Sequence, residues 1–174
     1  MTIKLDDYDM SAERGFLCRH DPAKVQLSGI LKESAETAMR LCDVMPTGKV
    51  RSYLIENLPE FDRSIVDSLT DAEARMAMVH YSFMIQAYVW GEPETPSILP
   101  RKLAAPITAL SQKIGQQPLM PYSGYVLDNW ARFDENGPID LSNIYMVQKF
   151  LAGQDPTVLL IQCVFLLWTQ FLFL

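Results

Sequence analysis

Residues 70–90 read TDAEARMAMVHYSFMIQAYVW, and this stretch decides the fold class. Thr70 and Glu73 stand in capping-box spacing: the Thr hydroxyl can accept a free backbone N–H of a first helical turn, and Glu73 can reach back to the N–H of Thr70. Asp71, Glu73 and Arg75 make the first turns polar, whereas Tyr81, Phe83, Met84, Ile85, Ala87, Tyr88, Val89 and Trp90 cover nearly the whole circumference beyond them. Such a pattern predicts one helix over 71–90, buried on most sides in its C-terminal half and central to its domain. Gly91-Glu92-Pro93-Glu94-Thr95-Pro96 cannot continue it and reads as an exposed loop.

The flanks are helical as well, with breaks marked by proline. Asp21-Pro22 offers an N-cap followed by Pro at the first helical position, and Leu27, Ile30, Leu31, Ala35, Ala38 and Cys42 recur at helical spacing, which predicts a helix over 22–44. Gly48 separates it from a short segment, Val50 to Leu58, stopped by Pro59; Phe61 to Leu69 adds another turn. Downstream, Pro106 in a first turn, Leu110 and Ile114 on one face and Gly115 at a stop position predict a short helix over 106–114. Pro118 and Pro121 then lead into Tyr122, Tyr125, Val126, Asn129 and Trp130, which share a helical face. Asp134-Glu135-Asn136-Gly137-Pro138 is a turn cluster, and the type of the stretch to Phe150 is left open. The expected class is all-α, with no internal repeat.

Composition narrows the function. The 174 residues are 49% hydrophobic and 21% charged, a globular balance. A net charge of -6, without clustered Lys and Arg, excludes nucleic acid and leaves small molecules or proteins as partners. Cys18, Cys42 and Cys163 are odd in number and widely spaced, which fits a reducing cytoplasm better than a disulfide framework. MTIKLDDYDM has neither the basic nor the apolar region of a secretory signal. No dinucleotide, phosphate-loop, zinc-protease or serine-hydrolase motif is present. Cys18-x-His20 lacks the second ligand pair of a structural metal site, so no metal is expected. His80 reads as a core histidine bonded to a backbone carbonyl or water, with axial ligation of an iron as the other reading. Asp6-Asp7, Asp134-Glu135 and Asp140 read as solvated carboxylates with ordinary acidity.

Tyr122, Tyr125 and Trp130 either wall a pocket for a flat ligand or fill the core, and their spacing allows both. The ordered blocks Glu13-Arg14-Gly15-Phe16-Leu17, Leu69-Thr70-Asp71, Tyr88-Val89-Trp90-Gly91, Ile98 to Pro106, Leu110-Ser111, Pro118 to Tyr122 and Val126 to Trp130 resemble the indoleamine 2,3-dioxygenase family of haem enzymes over roughly residues 8 to 155. The resemblance implies a two-domain, all-helical protein: a small N-terminal domain over 1–155 here, and a larger haem domain that begins in 156–174. It implies haem as cofactor, O2 and L-tryptophan or a related indole as substrates, and N-formylkynurenine as product. It also implies that Tyr122, Tyr125 and Val126 form the small-domain wall of the distal pocket. Leu159 falls at the family's aromatic distal position and Cys163 at its small polar one, while the proximal histidine matches neither His20 nor His80.

All 15 basic and 21 acidic side chains lie in the first 155 residues, so Pro156 to Leu174 carries no charge. As a membrane span, Val158 to Leu174 reaches about 25 Å, short of a hydrocarbon core of roughly 30 Å, and no Lys or Arg follows it. As a core element it lacks partners. A frameshift or early stop accounts for both its composition and the loss of family pattern after Asp155. The sequence reading is thus a truncated family member that does not bind haem in the family's manner and is inactive alone. The alternative is a non-enzymatic helical binding or regulatory module, tail-anchored through its last helix.

Overall fold

A computed structural model describes residues 4, 7, 10, 14, 15, 17–140 and 142–151, with the side chains of Tyr122 and Ser123 left aside. The helices are α1 (Gly29–Met39), α2 (Leu41–Val44), α3 (Val50–Asn57), α4 (Ser64–Asp67), α5 (Asp71–Trp90), α6 (Arg101–Ile114) and α7 (Tyr122–Val126). Two short strands, β1 (Trp130–Arg132) and β2 (Ile144–Met146), pair antiparallel with Trp130 opposite Met146. The chain is mostly helical, and its ribbon is an appendage to a helical core.

Helix α5 begins as its sequence dictates. Thr70 Oγ1 accepts the Glu73 N–H at 3.2 Å, and Glu73 Oε2 accepts the Thr70 N–H at 2.9 Å, closing the capping box. From there the helix is buried all round in its middle: Met76 through Met84 are inside, with Phe83 and Met84 fully so. Helices α1, α3, α6 and α7 pack around it. In the C-terminal half the expected burial holds from Tyr81 to Met84 and at Ala87 and Tyr88, and relents at the end of the last turn, where Trp90 is 70% exposed.

Helix α3 is held at both ends by residues near the α5–α6 connection. Glu92 accepts the Arg51 N–H in its first turn at 2.9 Å, and the Lys102 ammonium donates to the carbonyls of Ile55 and Leu58 at its last. An anion at the N-terminus and a cation at the C-terminus both complement the helix dipole. Gly91 allows this approach, because a Cβ there would sit 2.7 Å from Val50 Cγ1.

Three sequence expectations are corrected. The helix over 22–44 is broken: Pro22–Lys24 is a 3-10 turn, α1 starts only at Gly29, and Asp21 makes no cap bond. Its carboxylate instead receives Arg14 at 2.6 Å and Arg132 at 2.9 and 2.6 Å. Two guanidiniums outbid a single N–H as partners for a buried carboxylate. The helix over 106–114 begins earlier, at Arg101, with Pro106 inside it. Pro106 has no N–H for the Lys102 carbonyl, and its ring is buried on the inner face of the helix. The helical face over 122–130 stops at Val126, after which Asn129 and Trp130 turn into the ribbon. The junction at Gly153–Pro156 and the tail beyond lie outside the described residues.

Thr70→Ala removes one arm of the capping box and is expected to lower stability by about 1 kcal/mol, read as a shift of the urea midpoint at constant slope.

Candidate functional site

The end of α5 and the start of α7 meet across an apolar cavity of about 640 Å³, lined by Met45, Gln86, Ala87, Trp90, Met120, Pro121, Tyr125, Phe150 and Leu151. Its aromatic wall rests on Phe83, which no solvent reaches. Tyr125 stacks on Phe83 with centroids 5.1 Å apart and planes 11° from parallel, and Phe150 tilts against the same ring at 4.6 Å. Both rings are thereby fixed before any ligand arrives, which reduces the ordering cost of binding. A flat apolar molecule suits such a wall, since aromatic pairs favour offset stacking at 4.5–7 Å.

The residues named from the sequence separate here. Tyr125 lies on the cavity wall. Val126, 2% exposed, lies in the core beside it. The Tyr122 side chain, Leu159 and Cys163 fall outside what is described. Trp130 is fully buried, its indole N–H donating to the Leu127 carbonyl at 2.9 Å, so it packs in the core. Sequence reasoning missed Phe150, Met45 and Gln86 as cavity residues, and Phe83 as the support behind them, because they come from three distant segments with no local signal in common. Phe150 sits in the stretch whose type was left open.

A second, polar cleft of about 500 Å³ is bordered by Cys18, His20, Asp71, Arg75 and Asp128. Burial pushes the Asp128 carboxyl up, only partly countered by Arg75, whose Nη1 is 3.8 Å away, and by His20. Burial, assisted by the Asp128 charge, raises the Cys18 thiol to about 11. Cys18 Sγ donates to the His20 carbonyl at 3.1 Å, not to its ring. A thiol held protonated is neither nucleophile nor metal ligand. No group of three or more His, Cys, Asp or Glu able to hold a metal occurs among the described residues.

His80 is buried, as a core histidine should be, but its Nδ1 partner is the Gln148 side-chain carbonyl at 3.0 Å rather than backbone or water. Neither described histidine borders the apolar cavity. The described residues therefore fit a flat apolar group such as a porphyrin edge or an indole, and offer no imidazole there for an iron.

The family profile described as indoleamine 2,3-dioxygenase matches residues 4–166. The chain belongs to the indoleamine 2,3-dioxygenase family. It is 29% identical over 155 residues to indoleamine 2,3-dioxygenase 2 of Mus musculus, covering 88% of this chain and 37% of the relative. Against indoleamine 2,3-dioxygenase 1 of Mus musculus it is 30% identical over 152 residues, with 86% and 36% covered. Against indoleamine 2,3-dioxygenase of Saccharomyces cerevisiae it is 30% identical over 159 residues, with 87% and 34% covered. The chain thus spans little more than a third of the length of these relatives. The dioxygenase pattern also runs past Asp155, where the sequence reading had it end, and takes in both Leu159 and Cys163.

Burial lowers the His80 pKa from 6.5 to about 4, against the Gln148 hydrogen bond, which raises it. Between those values the unfolded chain binds a proton that the folded one refuses, so stability falls as pH drops from about 6.5 towards 4. Thermal unfolding of His80→Gln across this window is expected to lose that component of the pH dependence. The slopes from Asp21, whose carboxyl is raised by burial and pulled lower still by Arg14 and Arg132, lie below the ordinary carboxylate range and remain.

Proposed function

We propose that this chain provides the substrate-side wall of a haem-dependent dioxygenase that inserts both atoms of O2 across the C2–C3 bond of the indole ring of L-tryptophan, giving N-formylkynurenine. The observation that carries this reading is the preorganised apolar cavity with Tyr125 stacked on Phe83, in a chain of the indoleamine 2,3-dioxygenase family. Haem, when bound, supplies the activation of O2. The described residues have other tasks. Tyr125 and Phe150 present ring faces to a flat indole, Met45, Met120 and Trp90 mould around it, and Pro121 with Ala87 keeps water from the wall.

The small domain comprises residues 1–155 in this reading, and 156–174 open the haem-bearing part, with Tyr122, Leu159 and Cys163 placed toward the distal side. The 174 residues alone neither hold haem in the family's manner nor turn over tryptophan, since neither described histidine borders the apolar cavity. A cytoplasmic setting accords with the protonated, backbone-bonded Cys18 thiol. No helix among the described residues is long and apolar enough to cross a membrane.

Two experiments test this. Haemin added to the purified chain is expected to give a weak, broad Soret band and no N-formylkynurenine with tryptophan, reductant and oxygen. A sharp band with turnover would refute the claim that the chain is inactive alone. Residues 1–151 grafted in place of the matching segment of the Mus musculus relative are expected to retain tryptophan oxidation. In that chimera Tyr125→Ala should lower kcat/KM by roughly tenfold or more while the fold persists, as loss of an aromatic contact requires. An active chimera indifferent to Tyr125→Ala would remove Tyr125 from the wall.

A further inference from the structure

Ser34 and Ser82 both lie buried inside helices, and only the first is bonded. Ser34 Oγ donates to the Ile30 carbonyl, four residues back, at 2.7 Å and also meets the Tyr81 hydroxyl at 2.8 Å. Ser82, 3% exposed on α5, makes no corresponding bond to Met78, and its hydroxyl has no partner among the described residues. A buried hydroxyl is costly to leave unbonded.

Ser82 lines a small pocket of about 10 Å³ between α5 and the segment around α7, together with Arg75 and Asp128. That is room for one water molecule and nothing larger. Arg75 Nη1 and Asp128 Oδ2 stand 3.8 Å apart, too far for a direct hydrogen bond and at a separation that a bridging water closes. The Asp128 carboxylate, 14% exposed, receives no hydrogen bond from the described residues. These groups complement a water: it can donate to Asp128, accept from Arg75 and bond the Ser82 hydroxyl in either sense, three bonds in all, as is usual for a buried water. A cation would meet the Arg75 charge with one carboxylate to hold it, and an anion would meet Asp128.

We propose that this pocket binds one ordered water, bonded to Ser82 Oγ, the Asp128 carboxylate and the Arg75 guanidinium. Met120 and Pro121 line both this pocket and the apolar cavity, so the water joins α5 to the segment that carries Tyr125. It needs no substrate, so the assignment stands or falls separately from the proposed function.

The test is 17O magnetic relaxation dispersion on the 174-residue chain, which counts long-lived waters and is blind to exchanging hydroxyl protons. Ser82→Val removes the hydroxyl and fills the pocket with a methyl group, and is expected to lose one long-lived water per chain. Ser82→Ala, compared with Ser52→Ala at an exposed position of α3 so that helix propensity cancels, is expected to melt about 2–4 °C lower, because the water loses a partner. This comparison decides the matter if Ser82→Val does not fold. An unbonded hydroxyl requires the reverse order, since its removal relieves a cost. An unchanged water count in folded Ser82→Val, or Ser82→Ala at least as stable as Ser52→Ala, would each overturn the assignment.

Discussion

A helix buried around its girth keeps its polar side chains from water, so they call for partners on neighbouring elements, and along α5 the Ser82 hydroxyl alone of the described buried side chains lacks one. That condition, imposed by α5, organises the domain. Tyr81 finds the Ser34 hydroxyl of α1 at 2.8 Å, and His80 finds Gln148 beyond β2. Arg51 of α3 reaches the carbonyls of Tyr88 and Val89 where α5 ends, and Arg75 takes Asp71 and Asp128 where it begins. Helices α1 and α3 and the segments at Asp128 and Gln148 are thereby registered against α5 by directional contacts, whereas α6 meets it by packing.

Gln148 is the densest point of this arrangement. Its side chain joins α1 through Ala38 and α5 through His80; its backbone N–H donates to Asn129 Oδ1 at 2.7 Å, and Asn129 Nδ2 donates back to its carbonyl at 2.8 Å. The reciprocal pair pins the exit of β2 beside the end of α7. Phe150, two residues on, is thus delivered against Phe83 at the margin of the apolar cavity. A polar knot without slack gives that cavity a fixed shape, since a half-satisfied network in the interior would cost more than an apolar filling.

The ion cluster at Asp21 performs the same service at the other side of the ribbon. Arg14 and Arg132 converge on one carboxylate, Arg132 also donates to the Gly137 carbonyl, and Arg14 lies 5.6 Å from the Trp130 ring centroid. Inside the hairpin connection, Asn143 accepts the Asp134 N–H and donates to the carbonyls of Asp134 and Pro138. A three-residue ribbon is too short to persist by pairing alone, and these side chains hold it to the helical body.

Local chemistry was readable from the residues. The capping box at Thr70 and Glu73, the extent of α5, the halt at Gly91 and the turn at Asp134 to Pro138 depend on neighbours a few positions away, and Tyr125 was named because aromatic spacing along one segment is visible in one dimension. The break before α1 and the ribbon escaped that reading, because Asp21 was claimed by Arg132, 111 positions distant, in place of its own helix. Gln86, Phe150 and Met45 converge on one cavity only through packing, and His80 Nδ1 has its partner only because Gln148 arrives from 68 positions away. Propensity and capping act within a turn or two of the chain and are written in it; which buried donor meets which acceptor is decided by closure of the whole core, where the strongest available partner wins.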